Sequence, residues 1–316
     1  MLNKIKKLKK GDTIGIINPA FCNPANNDYK AMFAAFEEYG FKVKLGKTYT
    51  LKEGYLAGSD KERALDVMEM FTDPEVDGII CMRGGYGASR MVDLLDYEVI
   101  KQNPKFFAGF SDITVLLNNI TQKSKFPTIH GLVGCYLGAK KYEGITREDF
   151  EQILFKNQKG RVLKGDGEKV VTINGGIANG VTAGGNLSLL ATLAGSPYEV
   201  DFTDKIVLIE EVGEEPYQID RYLSSLRLNG SLNKAKGFIL GYFTDCNPGE
   251  SKKNDQSVMD VINDYFKDLG KPTIFNFPIG HDFPTLNLPI GVEVVLDANN
   301  KSVEIRGDIY DEDEAN

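Results

Sequence analysis

The chain has 316 residues, 42% hydrophobic and 26% charged, which excludes a disordered or fibrous protein and is enough for two domains of ordinary size. Lysine and arginine number 37 against 45 acidic residues, a net charge of −8, so a protein gripping a nucleic-acid backbone is not expected.

The opening MLNKIKKLKK has the basic character of a leader, but Gly11-Asp12 and a short β-rich run follow it, with no apolar stretch or cleavage site. No segment reaches the length of a membrane span. A soluble cytoplasmic protein without membrane association is the expectation, with the basic lead-in and the acidic end DEDEAN both solvated. Residues 13–18 (TIGIIN) read as a strand. Residues 28–39 read as a helix, with Ala31, Phe33, Ala34 and Phe36 near helical spacing and Gly40 closing it. Residues 41–45 (FKVKL) alternate as a half-buried strand, and residues 60–71 form a helix capped by Ser59 or Asp60. A buried strand over 78–82 runs into Arg83-Gly84-Gly85-Tyr86-Gly87. A strand over 105–110 meets Ser111-Asp112 and then an apolar helical run over 113–120. Such alternation predicts a mostly parallel sheet covered by helices. From 151 to 180 the texture turns polar and rich in glycine and lysine, and a linker is expected there. Beyond it the pattern gives a helix over 187–194 opened by Gly184-Gly185-Asn186, a strand over 205–209 and a helix over 219–228. A strand over 237–240, a helix over 258–269 and a late strand over 292–296 follow.

Cys22, Cys81, Cys135 and Cys246 stand far apart without a C-x-x-C pair, so neither a zinc cluster nor a disulfide framework is expected. Only His130 and His281 can supply imidazole chemistry. Ser111 sits where a strand turns into a helix. Its hydroxyl can project from the end of the sheet, with the Asp112 N–H beside it suited to an oxyanion. The same Ser-Asp pair also reads as an ordinary helix N-cap, and the closing glycine of G-x-S-x-G is absent. The glycine-rich loop at 84–87 either brings backbone N–H groups to a ligand or is a simple turn, and it fits neither nucleotide-binding glycine pattern. Glu210 and Glu211 end the run KIVLI, with Glu214 and Glu215 just beyond, where charges are either solvated or part of a site. His281 lies in the turn-like segment PIGHD and can reach a cleft, whereas His130 follows a β-type run and points to packing or a supporting hydrogen bond. A serine, an acid and a histidine in that order can serve as nucleophile, orienting group and base.

These residues fall in blocks that resemble the LD-carboxypeptidases of serine peptidase family S66. The blocks are RGGYGASR at 83–90, NPKFFAGFSD at 103–112, GGNLSLL at 184–190, IEEVGEEPY at 209–217 and IGH at 279–281. The resemblance implies Ser111 as nucleophile, His281 as general base, Glu210 as the acid that orients it, and the N–H groups of Gly85 and Asp112 as oxyanion donors. It departs at Glu211, where the family usually has aspartate, and at Phe110, where tyrosine is common. The implied fold is an N-terminal α/β domain with a mostly parallel sheet carrying the serine (1–155). A linker region (156–180) follows, then a C-terminal β-rich α/β domain carrying the acid and the histidine (181–316). The implied reaction is release of terminal D-Ala from a murein tetrapeptide, without a metal or organic cofactor and with the enzyme as a homodimer. Arg83 is a candidate for the substrate carboxylate, or else part of a structural salt bridge. Two other readings stay open at this point: a microcin C immunity-type peptidase acting on an aminoacyl-nucleotide conjugate, and a non-catalytic two-lobed binding protein.

Overall fold

Apolar runs separated by amphipathic segments become strands and helices in the computed structural model, which describes residues 2–25, 29–139, 142–165, 169–249 and 255–311. In chain order these are β1 (Thr13–Ile17), α1 (Lys30–Glu38), β2 (Lys42–Leu45), α2 (Asp60–Thr72), β3 (Gly78–Cys81), α3 (Tyr97–Gln102), β4 (Phe106–Gly109), α4 (Thr114–Asn119), β5 (Thr128–His130) and α5 (Ile145–Phe155). Next come β6 (Val162–Lys164), β7 (Val171–Asn174), β8 (Ile177–Asn186), α6 (Leu187–Leu193), β9 (Lys205–Val212), α7 (Pro216–Leu228), α8 (Ser231–Lys234) and β10 (Gly237–Thr244). The chain finishes with α9 (Val258–Phe266), β11 (Thr273–Phe275), β12 (Leu288–Ile290), β13 (Glu293–Asp297) and β14 (Ser302–Ile305). The expected helix start at Asp28 and the acidic tail after Asp311 lie outside the described residues. None of the helices among the described residues is long and apolar enough to cross a membrane.

The chain divides into two units. One holds the residues up to Gln158 with Asn287–Gly291 and the stretch from Asp308; the other holds Lys159–Leu286 and Val292–Gly307. The first unit carries a six-stranded sheet in the order β12-β5-β4-β3-β1-β2, parallel except for β12. Ile14, Ile16, Ile79, Ile80, Phe106 and Phe107 are fully buried in it, as strands covered on both faces require. The order reverses between β1 and β3, and in open α/β sheets ligands bind at the strand C-termini near such a reversal. Helix α2 begins at Ser59, whose hydroxyl accepts from Glu62 N while the Glu62 carboxylate accepts from Ser59 N, a reciprocal cap contributing about 1 kcal/mol. Strand β2 is the sheet edge, with Lys42 and Leu45 both exposed, so the half-buried alternation expected there is not realised.

The second unit carries an eight-stranded mixed sheet, β6-β14-β13-β8-β9-β10-β11-β7, in which β8 to β11 run parallel. The linker expected over 156–180 is corrected here. That stretch supplies β6, β7 and the start of β8, strands that pair antiparallel with β14, β11 and β13. Only Leu163 is buried in β6 and no residue of β7 is. Exposed edge strands need little apolar sequence, and the polar texture therefore concealed them. The expected 181–316 division is corrected too. Leu288–Ile290 returns to the first sheet as an edge beside β5, where Pro289 is tolerated, and Ile5 bridges Tyr310.

Candidate active site

Parallel pairing of β3 with β4, Ile80 opposite Ala108, sends the two strands out at the same end of the sheet. The glycine loop after β3 and the serine after β4 therefore meet. Gly84 lies so close that a Cβ on it would be 2.9 Å from Ser111 Cβ and 3.1 Å from Oγ, a space only glycine leaves. Phe110 is extended, and Ser111 then turns to φ 62°, a left-handed conformation that costs a non-glycine residue of order 1–3 kcal/mol and concentrates at functional sites. The cap positions of the short turn and of α4 fall on Phe110 and Ile113, neither with a side-chain cap bond. The hydroxyl of Ser111 is thus not spent on capping, and the N-cap alternative is resolved against.

Asp112 is 1% exposed, and its Oδ2 accepts from the Ala88 N–H at 2.7 Å. Burial pushes its carboxyl up to about 6, against the pull of the Ala88 hydrogen bond and the Arg63 charge. Arg63, on α2, is 0% exposed and donates from Nη1 to the carbonyls of Pro19 and Gly87, each at 2.8 Å. Sequence reasoning missed Arg63. The available signal was its place on the buried stripe of α2 with Val67 and Met70, where a solvated arginine does not belong. Arg83 is half-buried, donates to the Cys22 carbonyl at 3.2 Å and lies over the Phe21 ring at 5.9 Å. Among the described residues no carboxylate pairs with it, so the structural salt bridge weighed for Arg83 is not formed. His130 is buried on β5 with its ring 6.0 Å from that of Phe110, a packing position beside the serine turn.

The second unit brings Glu210 and His281 together. Glu210 lies near the end of β9 and is 0% exposed, although acids at a strand end are ordinarily solvated. The loop carrying His281 is fastened to β10: Phe277 N donates to the Leu240 carbonyl at 3.0 Å and Tyr242 N to that of Ile279 at 2.9 Å. Gly280 N donates to Thr285 Oγ1 at 3.2 Å, and a Cβ on Gly280 would come 3.0 Å from Glu210 Oε2, so only glycine lets the loop approach. The result is a 2.6 Å contact from His281 Nδ1 to Glu210 Oε2. Burial disfavours the imidazolium, but the charge and hydrogen bond of Glu210, with a smaller pull from Glu211, outweigh it and raise the His281 pKa. Glu211 accepts from Asn186 Nδ2, Val212 N and Ser188 N, each at 2.8 Å. Burial first and the neighbouring Glu210 second push it up to about 7. The block at 184–190 thus supplies Glu211 with two of its three donors. Among the described residues no cluster of three or more His, Cys, Asp or Glu could hold a metal ion.

Comparison with known proteins gives matches over both units. The LD-carboxypeptidase N-terminal domain matches residues 14–131 and the LD-carboxypeptidase C-terminal domain residues 179–296. A probable murein peptide carboxypeptidase of Bacillus subtilis is 37% identical over 97% of this chain and 95% of its own. A murein tetrapeptide carboxypeptidase of Pseudomonas aeruginosa is 30% identical over 90% and 93%. The solved structure of MccF in complex with glutamyl sulfamoyl guanosine fits with a TM-score of 0.89 at 25% identity, covering 98% of this chain and 99% of that one.

Proposed function

The chain belongs to the LD-carboxypeptidases of serine peptidase family S66 and is a serine-type carboxypeptidase; from that premise we propose that it cleaves the L,D bond releasing terminal D-Ala from murein tetrapeptides. The observation that carries the reading is the buried Glu210–His281 contact at 2.6 Å, which engages Nδ1 and supports Nε2 as the atom that transfers the proton. Ser111 Oγ attacks the carbonyl of the diamino acid while His281 takes its proton. The Gly85 and Asp112 N–H groups stabilise the oxyanion. His281 then returns the proton to the D-Ala nitrogen as the C–N bond breaks, and water resolves the acyl-enzyme with His281 as base again. Arg83, with no carboxylate partner among the described residues, is assigned to the terminal carboxylate of the substrate. Ser111 belongs to the first unit and the Glu210–His281 pair to the second. A cytoplasmic homodimer goes with it, which fractionation and light scattering test.

A second reading, cleavage of an aminoacyl-nucleotide conjugate, is favoured by the high TM-score with MccF. Incubating the enzyme with a defined murein tetrapeptide and with an aminoacyl sulfamoyl nucleoside separates the two. Free D-Ala from the tetrapeptide, abolished by Ser111→Ala, is the expected result. Turnover of the nucleoside conjugate alone overturns the first reading in favour of the second.

A further inference from the structure

The peptide group joining Gly87 to Ala88 is held on both of its polar atoms by buried charged side chains. Its carbonyl accepts from Arg63 Nη1 at 2.8 Å, and its N–H donates to Asp112 Oδ2 at 2.7 Å. The two charges also attract each other. Arg63 is itself located by the carbonyls of Pro19 and Gly58 and by an ion pair with Asp60. Asp112 is located by the serine turn. The gripped peptide ends the glycine loop whose beginning, Gly84, abuts Ser111 and whose middle, Gly85, takes φ 116°. Three of the loop's four residues are glycines and the fourth, Tyr86, is exposed, so little within the loop sets its conformation and groups outside it must.

We propose that the Asp112 carboxylate and the Arg63 guanidinium are positioning residues that fix the oxyanion donors, Gly85 N–H and Asp112 N–H, in one frame with Ser111. The inference rests on the proposed function. Asp112 then acts twice, through its N–H toward the oxyanion and through its side chain toward the loop. A carboxylate kept where burial opposes its charge fits this role, because one neutral acceptor would satisfy the Ala88 N–H at lower cost. The grip matters most when charge develops on the carbonyl oxygen, so its loss acts on kcat more than on KM.

The test compares Asp112→Ala, Asp112→Asn and Arg63→Lys in the full chain, reading D-Ala release from a defined tetrapeptide and the rate at which a fluorophosphonate labels Ser111. Asp112→Ala is expected to lower kcat about 100-fold with KM within about threefold, and to slow phosphonylation in parallel. Asp112→Asn keeps an acceptor for Ala88 N–H and is expected to recover about tenfold of that loss. Arg63→Lys, with a point charge in place of a fork, is expected to show the same kcat-selective loss. If Asp112→Ala fails to fold, the other two variants decide. Wild-type kcat in both, or losses carried by KM, overturn the proposal. Ser111→Ala run alongside keeps the cases apart: undiminished release in it rejects the proposed function, whereas an inactive Ser111→Ala beside fully active Asp112→Asn and Arg63→Lys rejects only the positioning role.

Discussion

At the end of β4, Ser111 is fixed by backbone shape: φ 62°, a glycine at its side and an extended Phe110 before it. At the end of β9, Glu210 and His281 are fixed by charge, a fully buried carboxylate held 2.6 Å from an imidazole whose proton it stabilises. A nucleophile must be presented at one angle, and a strained turn of short reach does that. A base must carry one proton on one nitrogen, and only an electrostatic partner enforces that. The first half should therefore fail when volume changes and the second when charge changes.

The largest effect is expected at Ser111, the proposed nucleophile. Ser111→Ala should lower turnover by at least about a thousandfold, read as D-Ala release, with the melting temperature little changed. Full activity in the folded variant would sink the assignment.

Glu210→Gln keeps the shape of the second half and removes its charge. Turnover should fall about 10²- to 10⁴-fold. The pH profile gives the sharper reading. With His281 as the proposed base and Glu210 in place, the raised pKa should set the acid limb of kcat/KM above the ordinary histidine value of 6.5, since a base works only when neutral. Without the Glu210 charge, burial is opposed only by the smaller pull of Glu211, so the histidine pKa falls and the limb should move to lower pH. A limb that stays in place would break the link between Glu210 and His281.

Gly84→Ala puts one methyl 2.9 Å from Ser111 Cβ at a position whose φ is not positive, so it probes volume and not backbone strain. We expect turnover about tenfold to a hundredfold down without a shift of the pH limb. A moved limb would show that shape and charge are not separable between the two halves.

Much of this contrast was legible before any coordinates. The serine turn was visible because a buried strand, KFFAGF, runs straight into Ser-Asp and an apolar helix, though the same pair also reads as a helix N-cap. For the acid–histidine half, residue context offered His281 as able to reach a cleft and left Glu210 and Glu211 either solvated or part of a site, and only the family blocks gave them roles. Acids ending a strand look solvated in a sequence, and their burial follows from β8 and β10 flanking β9 and from the His281 loop that β10 fastens. Arg63 was hidden because helix propensity does not distinguish a buried arginine from a surface one. Strands β6 and β7 were hidden because they are sheet edges with one buried residue between them, and the return of Leu288–Ile290 to the first sheet was hidden because it is three residues long with Pro289, a residue strands disfavour, at its centre.

The smallest effect is expected at Glu211, and it tests how far the charge argument extends. Glu211 contributes the last and weakest of the pulls that raise the His281 pKa. Glu211→Gln should therefore shift the acid limb down by less than Glu210→Gln does, with only a modest loss of turnover. Stability gives an independent check. The folded pKa is raised to about 7 from 4.5, so the folded chain keeps a proton that the unfolded chain gives up between these values. Stability tied to this group is then present below about pH 4.5 and lost as pH rises through about 7. Glutamine removes that dependence. It also places an amide where Asn186 Nδ2, Val212 N and Ser188 N all need an acceptor, so the variant should melt lower overall but with a flatter profile between pH 4.5 and 7. A variant with the wild-type slope would mean that Glu211 is ionised in the folded state across that range, and that its pull on His281 is as strong as that of a full charge.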